Sequence, residues 1–145
     1  IYFCIDKNEM FCIMRDMHVA VGSDAYSFTY DRSITTTVPH PRSFGTFPRF
    51  LRLVREQRLM PLEDAVYKLT GLPAQILGLK DRGVLKEGAM ADLTVFDPDS
   101  VADQSEYTDS VKQPLGIPYV LVGGTAAIWK GSATGSRTGG VLIRE

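Results

Sequence analysis

The first part of the chain has two short apolar runs on either side of a segment with helical periodicity. Residues 1–5 and 18–22 are apolar, with β-branched or aromatic side chains, and this pattern predicts two buried strands. Residues 7–16 carry apolar side chains at helical spacing, and Asp6 stands where it can cap the helix N-terminus. A strand, a helix and a second strand in this order indicate a βα unit followed by the next parallel strand.

Three more helices are predicted after a long polar loop. Residues 23–45 are rich in Ser, Thr, Tyr and Pro, and a loop of this length inside a compact domain is usually functional or disordered. Helices are expected at residues 46–57, from Pro61 to about residue 71, and at residues 72–77. The helical part of the chain therefore ends shortly before Gly83.

After Gly83 the pattern changes to short strands separated by turns. Strands are predicted at residues 91–96, 119–122, 126–129 and 141–144. Gly123-Gly124 between the second and third of these is a hairpin signal. Residues 132–140, rich in Ser, Thr and Gly, are expected to be a mobile loop. The chain thus divides into residues 1–82 and a β-rich part, residues 83–145.

Composition and charge narrow the classes of function. The 145 residues carry a net charge of −1 with both signs interspersed, which argues against nucleic acid and anionic membranes as partners. Cys4 and Cys12 have no metal-binding spacing, and we expect buried free thiols in a cytoplasmic protein.

The chain starts at Ile1 inside an apolar run, and we expect it to be a piece of a longer protein. Four arginines recur every three residues and are interpreted as a solvated helix face: Arg49, Arg52, Arg55 and Arg58.

Asp24 is the strongest candidate for chemistry. It follows the predicted strand at residues 18–22, and active sites of α/β barrels are built at the carboxyl ends of parallel strands. A carboxylate placed there can ligate a metal or accept a proton. The alternative is that Ser23 and Asp24 cap a turn.

Several motifs together resemble the D-aminoacylase family, the N-acyl-D-amino-acid deacylases of the amidohydrolase superfamily. They are Val21-Gly-Ser-Asp24, His40-Pro-Arg-Ser-Phe-Gly-Thr-Phe-Pro-Arg49, Leu62-Glu-Asp-Ala-Val-Tyr-Lys-Leu-Thr-Gly-Leu-Pro-Ala74 and Leu77-Gly-Leu-Lys-Asp-Arg-Gly83. The run from Gly83 to Asp97 is shared by many amidohydrolases. The resemblance covers almost the whole chain and implies an α/β fold, with the C-terminal portion of a metal-dependent (β/α)8 barrel followed by part of a small β-sandwich domain. Residues 1–82 would be the last strands and helices of the barrel, and residues 83–145 the C-terminal part of the β-domain.

The resemblance also implies roles for individual residues. Asp24 would contact a zinc centre and handle protons, and Arg42 would bind the carboxylate of an N-acyl amino acid. His40 could be a ligand, a substrate contact or a residue that orders the loop by hydrogen bonding. The chain has no counterpart of the family's His-x-His pair or Cys ligand, so the remaining N-terminal part of the enzyme is an expected partner. By itself this chain is expected to be inactive.

The function that follows is zinc-dependent hydrolysis of N-acyl-D-amino acids by the complete enzyme. One alternative is an amidohydrolase of the hydantoinase or dihydroorotase kind, acting on cyclic amides, although the segment His40 to Arg49 argues against it. A second is a non-catalytic module that associates with itself, because predicted barrel strands without neighbours would leave apolar edges exposed.

Overall fold

Four helices precede four short strands in the computed structural model, which describes residues 5–142. The elements are α1 (Lys7–Arg15), α2 (Arg42–Gln57), α3 (Leu62–Leu69), α4 (Gly71–Leu77), β1 (Leu93–Val95), β2 (Tyr119–Val122), β3 (Thr125–Trp129) and β4 (Ser132–Ala133). The predicted change from helical to β character after residue 82 is therefore present. None of the helices in residues 5–142 has the length and apolar character needed to cross a bilayer.

Local signals account for several helix ends. The Asp6 carboxylate accepts hydrogen bonds from the backbone N–H groups of Asn8, at 2.8 Å, and Glu9, at 3.2 Å, so the predicted N-cap of α1 is confirmed. At the other end of the helical region, α4 stops at Gly78, whose φ of 73° suits a residue without a side chain.

Helix α2 begins four residues earlier than the pattern predicts. The carbonyl of Pro41 accepts from the N–H groups of Phe44 and Gly45, so the first helical turn already includes Arg42. Proline fits this position because its fixed φ matches a helix and its missing N–H needs no partner there. The prediction counts the helix from Thr46 and leaves Pro41 and Phe44 in the loop, and so it misses this turn.

The predicted strand at residues 18–22 is not formed. A strand requires hydrogen bonds to a neighbouring strand, and no other segment among residues 5–142 pairs with it. The prediction for residues 1–5 lies almost wholly outside the described part of the chain. Cys12, predicted to be buried, is an exposed free thiol.

The strands form one antiparallel sheet in the order β1-β2-β3-β4. Gly123 and Gly124 both have positive φ, 56° and 79°, and so form the predicted tight turn between β2 and β3. A second turn of this kind, at Lys130 and Gly131, lets residues 132–133 pair with β3, where the sequence predicted a loop. Residues 141–142 are not in a strand, and the rest of that predicted strand is outside the described residues.

The buried core joins the helices to the segment that follows β1. Phe50, Leu51 and Val54 of α2 pack in one cluster with Phe11 of α1 and with Val101, which is 1% exposed. Val101 lies beyond β1, so helix α2 is covered by a part of the chain that follows the first strand. This packing matters for function because α2 carries Arg42 at its first position.

Candidate functional site

The structure brings Asp24 and Arg42 together across the long loop. The guanidinium Nη2 of Arg42 lies 3.0 Å from the carboxylate Oδ2 of Asp24. The Asp24 side chain is 88% exposed and that of Arg42 is 42% exposed, so the pair stands at the surface of the described residues. Asp24 has a φ of 48°, a left-handed conformation that Asp tolerates better than most residues.

His40 orders the start of helix α2. Its ring nitrogen Nδ1 accepts a hydrogen bond from the backbone N–H of Arg42 at 3.1 Å, a contact of the kind that the loop-ordering role requires. The ring also meets the edge of Tyr107, with centroids 5.1 Å apart. All three candidate residues thus lie around the first turn of α2.

The loop between Asp24 and His40 is attached at several points. The rings of Phe28 and Tyr30 pack against Phe44, at centroid distances of 6.2 and 5.0 Å, and burial raises the pKa of Tyr30. Arg32 forms an ion pair and a hydrogen bond with Asp109, and this hydrogen bond lowers the pKa of the Asp109 carboxyl.

The loop folds around an open cavity of about 370 Å³. The cavity is lined by Phe28, Ile34 and the hydroxyl residues Ser27, Thr29, Thr35, Thr36 and Thr37.

Lys68 holds the chain that leads from α1 toward Asp24. It lies in α3 and is almost completely buried, and its Nζ donates a hydrogen bond to the backbone carbonyl of Asp16. Burial lowers the pKa of Lys68, although the nearby Asp16 carboxylate acts in the opposite direction. The carbonyl at the end of α1 thereby gains a partner that its own helix cannot supply.

The described residues do not form a metal site by themselves. Nowhere in residues 5–142 do three or more His, Cys, Asp or Glu side chains lie close enough to hold a metal ion. The exposed ring of His18 is no part of such a cluster. Its Nδ1 lies 3.1 Å from the carboxylate Oδ1 of Asp16. Asp24 is therefore at most one ligand, whereas zinc takes about three or four protein ligands.

The interpretation of the arginines as a solvated face holds for Arg49 and Arg58, which are exposed, but not for Arg52 and Arg55, which are half-buried. Arg49 and Arg52 both bind the carboxylate of Asp103, at 3.0 and 2.9 Å. Arg55 donates to the backbone carbonyls of Pro98 and Val101, both at 2.9 Å. Their spacing of three residues marks one face of a helix, but no local signal shows that a later segment would cover that face.

Comparison with known proteins agrees with the motifs. A D-aminoacylase from Alcaligenes xylosoxydans xylosoxydans is 42% identical over 146 residues, which cover 99% of this chain and 28% of the relative. An N-acyl-D-aspartate deacylase from the same organism is 40% identical over 144 residues, which cover 99% of this chain and 27% of the relative. The chain thus spans little more than a quarter of the length of the curated relatives it matches. The similarity to D-aminoacylases inferred from the sequence motifs is confirmed.

Solved structures and more distant relatives add two observations. The crystal structure of N-acyl-D-glutamate deacylase from Bordetella bronchiseptica, complexed with zinc and a phosphonate inhibitor, is 43% identical with a TM-score of 0.76 and covers 87% of this chain and 25% of that protein. A dihydroorotase from Geotalea daltonii is 49% identical over only 53 residues, 37% of this chain and 12% of the relative.

The sequence pattern of the amidohydrolase family matches residues 14–127. This range runs from the end of α1 into β3 and includes Asp24, His40 and Arg42. The chain therefore belongs to the amidohydrolase family.

Proposed function

We propose that this chain is the C-terminal part of a zinc-dependent enzyme that hydrolyses N-acyl-D-amino acids to a carboxylic acid and a D-amino acid. The observation that carries the proposal is the 3.0 Å contact between Arg42 and Asp24, which places a carboxylate-binding group beside a proton acceptor. The complete enzyme is a protein of the relatives' length that contains this chain. Its N-terminal part would be the main partner of these residues.

In the complete enzyme, residues 1–82 would be the last strands and helices of a (β/α)8 barrel, and residues 83–145 part of a small β-sandwich. Support comes from the order of elements, with all described helices before residue 78 and all described strands after residue 92. Asp24 would then stand at the barrel mouth.

The exposed free thiol of Cys12 supports a reducing compartment such as the cytoplasm.

Arg42 would bind the carboxylate of the substrate. A guanidinium can grip a carboxylate through two parallel hydrogen bonds, which fixes the orientation of the substrate as well as its charge. In the structure one nitrogen of this group already holds the carboxylate of Asp24, so its anion-binding face points toward the proposed centre. His40 supports this role through its hydrogen bond to the Arg42 backbone, and we propose that its second ring nitrogen contacts the substrate.

Asp24 would move the proton during hydrolysis. Its carboxylate accepts a proton from the attacking water, the new C–O bond forms, and the proton passes to the amide nitrogen as the C–N bond breaks. Without that proton the amine is a very poor leaving group. We also propose Asp24 as one zinc ligand, because the Bordetella relative contains zinc. Residues 5–142 hold no cluster of three ligands, so the site would be completed by residues of the N-terminal part.

The experiment is an assay of the complete enzyme with zinc. N-acetyl-D-amino acids, their L-enantiomers, and the cyclic amides hydantoin and dihydroorotate are compared as substrates. Release of the D-amino acid is the expected result. Hydrolysis of only the cyclic amides would establish the second candidate, which is favoured by the short dihydroorotase match.

The chain alone is expected to bind zinc weakly and to lack deacylase activity, because its described residues bring no three metal-binding side chains together. Purified chain is incubated with zinc, separated by gel filtration, and analysed for bound metal, with the complete enzyme as control. The same column reports whether the chain associates with itself. One tightly bound zinc per chain would contradict the expectation.

A further inference from the structure

The carboxylate of Asp103 connects helix α2 to the segment that follows β1. One oxygen lies 3.0 Å from Nε of Arg49, and the other lies 2.9 Å from Nε of Arg52. The Asp103 side chain is only 5% exposed, whereas the side chains of Arg52 and Arg49 are 27% and 51% exposed. The contact with Arg52 is a charge-assisted hydrogen bond to a buried carboxylate, and such bonds are strong, whereas the more exposed ion pair with Arg49 contributes less.

Helix α2 needs such a contact because Pro48 lies inside it. Proline has no N–H, so the carbonyl of Phe44 lacks its usual helical partner, and the proline ring crowds the preceding turn. The turn that contains Arg42 is therefore less firmly joined to the rest of α2 than an ordinary first turn would be.

Asp103 contacts α2 on both sides of this weak point. After Pro48 it binds the two arginines, and before Pro48 its Cβ lies close to Gly45. A methyl group placed on Gly45 would come within 3.2 Å of the Cβ of Asp103. Gly45 is one helical turn from Arg42, so the same side chain holds the body of α2 and borders its first turn.

We propose that Asp103 is a positioning residue that sets the orientation of the first turn of α2 and thereby the place of the Arg42 guanidinium. This inference rests on the proposed function, in which Arg42 binds the substrate carboxylate. Asp103 touches neither substrate nor metal in this scheme, and it acts only through α2.

The test uses D103N in the complete enzyme, which keeps the shape of the side chain and removes its charge. KM for the best N-acetyl-D-amino acid is expected to rise about ten- to a hundredfold, as small displacements of a binding group can cause. The value of kcat should change much less, because the bound carboxylate does not react. D99N is the matched control, since Asp99 lies in the same segment and is exposed.

A double-mutant cycle separates positioning from general damage to the fold. If Asp103 acts through Arg42, D103N has little further effect once Arg42 has been replaced by Gln. Equal effects of D103N with and without Arg42, or an unchanged KM in the single variant, would overturn the proposal. Should D103N not fold, R49M replaces it in the same cycle, because that change removes only the ion pair with Arg49 and leaves the hydrogen bond from Arg52.

Failure of the proposed function gives a different result. In that case the wild-type enzyme releases no D-amino acid, and this result overturns the positioning role as well, because Arg42 then has no substrate carboxylate to bind. If the wild-type enzyme is active and D103N has the same KM, only the positioning role of Asp103 is contradicted.

Discussion

D24N in the complete enzyme is expected to lower kcat by about 10²- to 10⁴-fold, the range associated with a positioned acid–base group. Asparagine has nearly the same shape as aspartate, but it cannot accept a proton. The asparagine keeps an oxygen at the position where Asp24 Oδ2 lies 3.0 Å from Nη2 of Arg42, so the neighbourhood of Arg42 changes little. The loss should therefore appear in kcat measured at saturating substrate, more than in KM.

The matched control is D31N. Asp31 lies in the same loop and is exposed, and its carboxylate accepts hydrogen bonds from the backbone and hydroxyl of Ser33. Those hydrogen bonds lower the pKa of the Asp31 carboxyl, but they do not involve the candidate site. D31N is expected to keep wild-type activity. A D24N enzyme as active as D31N would remove Asp24 from its proposed role.

R42Q is expected to lower kcat/KM by about a hundredfold, equivalent to about 3 kcal/mol for two hydrogen bonds to a charged group. The loss should fall mainly on KM, because the carboxylate that Arg42 would hold does not take part in bond breaking. The measurement is the full dependence of rate on substrate concentration for one N-acetyl-D-amino acid.

R42K distinguishes charge from geometry. Lysine keeps the positive charge but cannot form two parallel hydrogen bonds, so this variant should lie between wild type and R42Q. R58K is the control, since Arg58 is exposed at the other end of α2. If R42Q binds substrate as well as R58K does, Arg42 is not the carboxylate-binding group.

Elements defined by local interactions could be predicted from the sequence. Asp6 caps α1 through N–H groups two and three residues away, and Gly123-Gly124 closes a hairpin within four residues. The bounds of β2 were predicted without error because its apolar run is flanked by Pro118 and the glycine pair. The residues Asp24, His40 and Arg42 were found in the same way, from motifs that are contiguous in the chain.

Strand pairing was harder to predict, because it depends on the partner as much as on the strand itself. Residues 18–22 have a strand-like composition, yet they form no strand among the described residues, which offer them no neighbour. Residues 132–133 have a loop-like composition, yet they pair with β3 because the preceding turn brings them alongside it.

The sequence by itself determined the family, the helical and β-rich parts, and the three candidate site residues, since each depends on residues close together in the chain. Only the tertiary structure decided that Arg42 meets Asp24, that His40 braces the first turn of α2, and that Asp103 binds two arginines. Asp103 and Arg52 are 51 positions apart, and no local pattern reports such a contact. It exists because burying Val101 against α2 fixes the path of the chain between them.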